Sequence, residues 1–434
     1  MTTLSPAINN PRIINAWCVY DWANSVYSLV ITSAIFPVYY QAVTTGADGS
    51  DQVSFFGFTL ANSVLYSYAL SFAFLVVAPL LPLLSGIADY AGRKKTFMKL
   101  FVYIGGLGCM GLYFFEGPNI EWGILCSVLA SLGYAGSVVF YDAFLPEIAS
   151  EDRMDAVSAR GYSMGYYGGV VLLIINLVMI MNWNTFGFSS EGMATRFAFL
   201  MVGLWWIGFA QYTFAVLPET RRASSGKRLL FHGYHELIKV WKSFASHKDI
   251  GRYLGAYFFF NMGVQTVMYM AATFGSKELK LEDGKLIVTV LLIQLVGAIG
   301  AHLFARISRA RGNKATLVIM IISWIGICLL AYWVTTEYEF YVIAVLVGTV
   351  MGGIQSLSRA TYAKLIPASS IDNASYFSFF DVTFNLSIVC GTFSYGLIEH
   401  LTGSMRNSTL ALAVFFIIGL ILLRRVESKS LSPR

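Results

Sequence analysis

Asp21, Asn24 and Ser25, followed by Ser28 and Thr32, recur at i, i+3, i+4, i+7 and i+11 within the apolar stretch 13–42. On an α-helix this spacing draws one polar stripe along an otherwise apolar rod. An ionisable group inside such a span is costly. The stripe is therefore expected to line a water-filled cavity, where Asp21 can exchange a proton and the amide and hydroxyls can hydrogen-bond a solute. Trp17, Tyr20 and Trp22 leave a second placement open, with Asp21 at the membrane interface. The device returns in 372–401 as Ser378, Asp381 and Asn385, and Asn261 with Gln265 forms an i, i+4 pair in 251–274. Asp21, Asn24, Ser25, Asn261, Gln265, Asp381 and Asn385 are the expected substrate and proton cavity. Protonating Asp21 or Asp381 would remove the charge that penalises passage through a closed, dry intermediate.

A second set lies where spans end. Asp142 and Glu147 close 121–148 and Arg359 closes 339–366, so they are the expected inner gate, with static ion pairing or headgroup contact as the alternative. Gly86, Asp89, Gly92 and Arg93 mark a tight basic turn between two membrane-length segments. Gly92 permits the reversal, and Asp89 at the end of the preceding helix needs a partner.

The elements that must position these residues follow from composition. Of 434 residues, 56% are hydrophobic and 12% charged. Soluble proteins carry about 25% charged residues, so the chain reads as an all-α polytopic membrane protein. Windows of about 20 apolar residues give twelve spans: 13–42, 55–89, 95–115, 121–148, 157–182, 195–217, 251–274, 285–308, 314–335, 339–366, 372–401 and 408–425. Of the 30 Lys and Arg, 25 fall on the side that carries both termini, which predicts cytoplasmic ends and accounts for the net charge of +6 without nucleic acid.

Residues 219–250 are the one long polar break, between an N-terminal six-helix half at 1–218 and a C-terminal half at 251–434. Leu230, Tyr234, Leu237, Trp241 and Phe244 recur there at helical spacing. They predict an amphipathic helix, lying on the inner leaflet or packed under the bundle. The halves repeat weakly: Gly92-Arg-Lys maps onto Gly312-Asn-Lys, with Arg309 at the place of Asp89. Gly161, Gly165, Gly168 and Gly169 give the fifth span a small-residue face for close helix packing.

No Walker A loop, His-Glu-x-x-His or Cys-x-x-Cys occurs, and the five cysteines all fall in apolar segments. Neither ATP, a cofactor nor a metal is expected. His302 is the only histidine well inside a span, with no catalytic partner near it in sequence, so an enzyme is not expected.

The run from Gly86 through Asp89, Gly92, Arg93 and Lys94 resembles the signature between the second and third helices of major facilitator transporters. Tyr20-Asp-Trp-Ala-Asn-Ser25, Phe140-Tyr-Asp-Ala-Phe-Leu-Pro-Glu147, Leu217-Pro-Glu-Thr220 and Gly352-Gly-Ile-Gln-Ser-Leu-Ser-Arg359 together resemble the UMF1 group of that superfamily, which includes the autophagy-related vacuolar effluxers. The resemblance spans nearly the whole chain. It implies the twelve-helix major facilitator fold and a secondary active transporter that exports a small solute, an amino acid or similar metabolite, by alternating access. Proton coupling and a monomeric state are expected. The chain departs from the family in carrying Asp142 where Asn is frequent, and Phe384-Asn385 where Gly-Lys is frequent. The second departure leaves Asp381 without an obvious partner. Lack of a large luminal extension points to a bacterial inner membrane. An uncoupled facilitator and a non-transporting sensor or scaffold are the rival readings.

Overall fold

The computed structural model describes residues 8–46, 49–218, 229–367, 370–427 and 431. Of the linker, 219–228 therefore lies outside the described residues, with Arg221, Arg222, Lys227 and Arg228. The N-terminal half comprises α1 (Pro11–Val26), α2 (Ile35–Thr44), the strands β1 (Gln52–Phe55) and β2 (Phe58–Ala61), α3 (Asn62–Ala91), α4 (Lys94–Gly111), α5 (Ile120–Asp142), α6 (Leu145–Ile148), α7 (Met154–Met181) and α8 (Glu191–Val216). A lateral helix, α9 (Leu229–Ser246), leads to α10 (Lys248–Leu279), α11 (Asp283–Arg311), α12 (Asn313–Trp333), α13 (Glu337–Leu365), α14 (Asn373–Thr402) and α15 (Met405–Arg424).

Among the described residues ten helical spans are long and apolar enough to cross a membrane, with α1 and α2 forming one of them. The 30-residue α3 and the 32-residue α10 take the second and seventh places of the expected twelve. The second span begins later than expected. Its apolar start, Phe55 to Ala61, belongs to an antiparallel hairpin in which Phe55 faces Phe58 across a turn at Phe56 and Gly57, both at positive φ. Turns of that kind join strands, and the run of phenylalanines imitates a helix start by apolarity alone.

The first span is not a uniform helix. Between α1 and α2 the eight residues Tyr27–Ala34 are π-helical. Such i→i+5 segments are rare and cluster at functional sites. Asp21, Asn24 and Ser25 of the polar stripe precede this segment, and Ser28 and Thr32 lie within it.

The end of the bundle carrying the Gly92–Lys94 turn also carries both ends of the described chain. Asn9 donates to Ile148 O at 2.8 Å, and Lys314 Nζ donates to Val426 O at 2.6 Å. This is called the basic end below. Gly92 sits at φ 62°, where its N–H closes α3 on Asp89 O; a side chain there would be strained.

Helix α9 packs on the bundle. Trp241 and Phe244 lie 5.7 and 5.2 Å from the Phe379 ring of α14, Ser243 shares a 2.7 Å hydrogen bond with Tyr376, and Lys239 pairs with Asp372 at 2.7 Å. These contacts seat α9 against α14, while Trp241 stays 63% exposed.

Candidate functional site

The two halves meet through α7 packed on α11 and α13, and α14 packed on α3 and α5. At their centre lies Arg359 of α13, 2% exposed. Its Nη1 donates to Asp142 Oδ1 at 3.0 Å, its Nη2 to Asp21 Oδ2 at 3.3 Å, and its Nε to Ser158 Oγ at 2.9 Å. Nη2 also reaches Ser158 O at 3.0 Å. The guanidinium lies 4.7 Å from the Trp17 ring and 4.3 Å from that of Tyr162. A buried cation is tolerable only with such pairing, and Arg offers a fork of donors that can serve several acceptors at once. Tyr141 completes the cluster: its hydroxyl donates to Asp21 Oδ2 at 2.7 Å while its ring stacks on Trp17 at 4.5 Å.

Gly161 on α7 is what allows this approach. A Cβ there would overlap Asp21 Oδ2 and stand 3.0 Å from Arg359 Nη2. The glycine face expected to pack does so against α1, since Cβ atoms at Gly165 and Gly168 would strike Ser25 Oγ and Trp22 O.

Two further latches join the halves at the basic end. Asp89 accepts from Ser375 N at 2.7 Å, Ser375 Oγ at 2.8 Å and Ala374 N at 3.2 Å, so a carboxylate of one half caps the first turn of α14 in the other. Glu147 supports it by pairing with Lys94 and accepting from Asn373 Nδ2 at 2.9 Å. Gly86 is buried in α3, three residues before Asp89. Arg93 is exposed, and Lys94 is the turn's basic residue that takes a carboxylate of α6.

The second latch is Asp155 of α7. It accepts from Ser308 Oγ, Asn313 Nδ2 and Lys364 Nζ, each at 2.8 Å. With an offset of about 220 residues between the halves, Asp155 corresponds to Ser375, and Asp89 to the position beside Ser308. Carboxylate and hydroxyl have exchanged places between the two latches. Sequence reading missed Asp155, whose position in the first turn of α7 makes it look like an ordinary helix-start acid. It also missed Ser158, and Ser163, whose hydroxyl lies 2.9 Å from His302 Nδ1 across the same seam.

Above this seam, away from the basic end, the halves enclose a cavity of about 260 Å³. Ser25, Gln265, Asp381 and Asn385 of the expected set line it, and so does Asp142. Asp21, Asn24 and Asn261 stand outside the lining, which corrects the expectation that the whole polar stripe faces the cavity. Asp21 is turned to Arg359, Asn24 is 2% exposed, and Asn261 Nδ2 donates to Ser387 Oγ at 2.6 Å. Asp381 accepts from Asn385 Nδ2 at 2.9 Å. Hydrogen bonds that join the halves run from the basic end up to Tyr166, whose hydroxyl donates to Gln355 Oε1 at 2.7 Å.

A family model for Atg22-like vacuole effluxers matches residues 9–431. The chain belongs to the family of Atg22-like effluxers. This Atg22-like chain is 30% identical to the MFS-type transporter YxiO of Bacillus subtilis over 96% of its own length and 95% of that protein's. It is 25% identical to autophagy-related protein 22 of Yarrowia lipolytica, covering 86% of this chain and 78% of that one. Its fold matches the MFS transporter FucP in the outward conformation, with a TM-score of 0.71 at 12% identity over 96% of this chain and 99% of FucP. The Atg22-like chain is thus a multi-pass membrane protein and a secondary transporter of the major facilitator superfamily.

Proposed function

We propose that this transporter exports a small solute, a metabolite of about amino-acid size, by alternating access through the aromatic cavity between its halves, with protons as the counter-ion and Asp381 as the group that exchanges them. The observation carrying this reading is a cavity between the halves that is sealed toward the basic end by bonds crossing from one half to the other. Each of those bonds must break for the cavity to open the other way, which is what alternating access requires.

The 25 basic residues on the side of the termini support a cytoplasmic basic end, so the conformation described is outward-facing in a bacterial inner membrane. A single chain holds both halves and the whole cavity, which supports a monomeric unit. The name of the family, a vacuole effluxer, supports export.

Asp381 is preferred to Asp21 for the proton. Asp21 is held by Arg359 and Tyr141, whereas Asp381 faces the cavity with Asn385 as its hydrogen-bond donor. Asp21, Asp142 and Arg359 are then the inner gate, together with Glu147, and the Asp89 turn is the element that releases α14.

The test is solute-dependent proton flux in vesicles reconstituted with the purified protein, read by a trapped pH dye while a solute panel is added. Solute movement with no accompanying proton flux would make the protein an uncoupled facilitator. Asp381→Asn should abolish the proton signal and leave the protein folded.

A further inference from the structure

The charge of the cavity is one-sided. Among the described residues its wall carries Asp142 and Asp381 and no lysine, arginine or histidine. Arg359 lies behind Asp142, but it is 2% exposed and four of its five N–H groups are given to Asp142, Asp21 and both oxygens of Ser158. Tyr162 and Trp17 cover its faces. A solute carboxylate entering here would meet two carboxylates and no uncommitted cation.

Asp381 stands differently from Asp142. It is 9% exposed, accepts from Asn385, and makes no ion pair among the described residues. An ionised carboxylate so placed is costly until a counter-charge arrives. Six tyrosines share the wall with it: Tyr27, Tyr134, Tyr162, Tyr166, Tyr257 and Tyr269. The negative faces of such rings attract ammonium groups and pack against hydrocarbon. On the same wall Gln294 Oε1 is buried with no donor, an acceptor open to an N–H. The volume of about 260 Å³ falls just below the range of drug-sized ligand cavities, about 300 to 1,000 Å³, and so favours a small solute.

We infer, building on the transport reading above, that the cavity selects a small organic monocation: an amine of amino-acid size without the carboxylate, its ammonium on Asp381 and its hydrocarbon against the tyrosine faces. An amino acid shares the ammonium but brings a carboxylate for which the wall has no partner. A neutral alcohol fits the volume but leaves Asp381 without its counter-charge.

The experiment uses the purified full chain in lipid nanodiscs and four probes on one skeleton: phenethylamine, phenylalanine, phenylacetate and phenethyl alcohol. Affinity is read by calorimetry and by ligand-induced thermal stabilisation. Phenethylamine should bind more than about tenfold tighter than each of the other three, the scale expected of one well-placed charge pair. Asp381→Asn should erase that preference without lowering the melting temperature, and Asp381→Glu should keep it. The inference is overturned if phenylalanine or phenethyl alcohol matches the amine, if none of the four binds, or if Asp381→Asn retains the preference. Binding is measured without flux, so such a result with solute-driven proton flux intact strikes only the substrate class. Loss of all flux across the solute panel strikes the transport reading itself.

Discussion

Arg359 offers the most direct test of the gate, because every group it holds belongs to the other half. Its partners Asp21, Asp142 and Ser158 sit on α1, α5 and α7, while Arg359 itself sits on α13. These contacts therefore stabilise the state closed at the basic end and are lost when the halves separate there. Arg359→Leu strands two carboxylates that are 7% and 6% exposed. Breaking a buried pair by removing one partner costs about 3–5 kcal/mol. At about 1.4 kcal/mol per tenfold, that shifts the equilibrium toward the open basic end by roughly 10²-fold to a few times 10³-fold. Ala363, one turn further toward the basic end and 2% exposed, is the reporter. Ala363→Cys on a background with the five native cysteines replaced should react slowly with an impermeant maleimide applied from the basic side, and rapidly once Arg359→Leu is added. Adding Asp21→Asn and Asp142→Asn should restore much of the protection, because the repulsion is then gone. An unchanged labelling rate in a variant that still melts cooperatively would refute the reasoning and make Arg359 a static core ion. Arg359→Lys, which keeps the charge but not the fork, should fall between the two.

Asp155→Leu removes the carboxylate from Lys364, whose side chain is 7% exposed, and should raise labelling at the same reporter; the double variant with Lys364→Met should lie closer to the parent than either single change. Gly161→Ala should lower thermal stability by about 1–3 kcal/mol through overpacking against Asp21, whereas Gly208→Ala, where a Cβ meets nothing within 4 Å, should be neutral or stabilising in the same melt. Thr336→Ala removes the capping box that Thr336 forms with Glu339 at the far end of α13. It should cost about 0.5–2 kcal/mol in a melt and leave proton flux unchanged.

The parts of this molecule that were legible in sequence are those written in local spacing. Asp142 and Arg359 each end an apolar span on the basic side, and that shared depth is enough to suggest a meeting, which the structure realises at 3.0 Å. The polar stripe of the first span was legible as a stripe but not as two sites. A period of 3.6 puts Asp21 and Ser25 on one face, and both lie in α1 ahead of the π-helical Tyr27–Ala34; what separates them is depth along the helix, about 6 Å for four residues, with Asp21 held by Arg359 while Ser25, Ser28 and Thr32 line the cavity. The cavity tyrosines were not legible at all. They come from different helices, and a tyrosine in an apolar span is indistinguishable from one in a packed core. Asp155 failed for a related reason: its ion-pair partner Lys364 lies in the other half, and nothing in local composition ties the two.

Asp142 is a charged side chain of the cavity wall that also holds Arg359. Its side chain lines the cavity, and Oδ1 holds Arg359. Any positive charge drawn into the cavity by Asp381 therefore also lowers the potential that keeps Arg359 in place, since both cations address the same carboxylate. Linkage makes the effect reciprocal: whatever loosens Arg359 by binding must bind better when Arg359 is loosened by other means. On the proposed transport cycle, Asp142 would thus couple occupancy to opening. An amide at 142 could still line the cavity and still accept a hydrogen bond from Arg359, but it would not carry the charge through which each of those events is felt by the other.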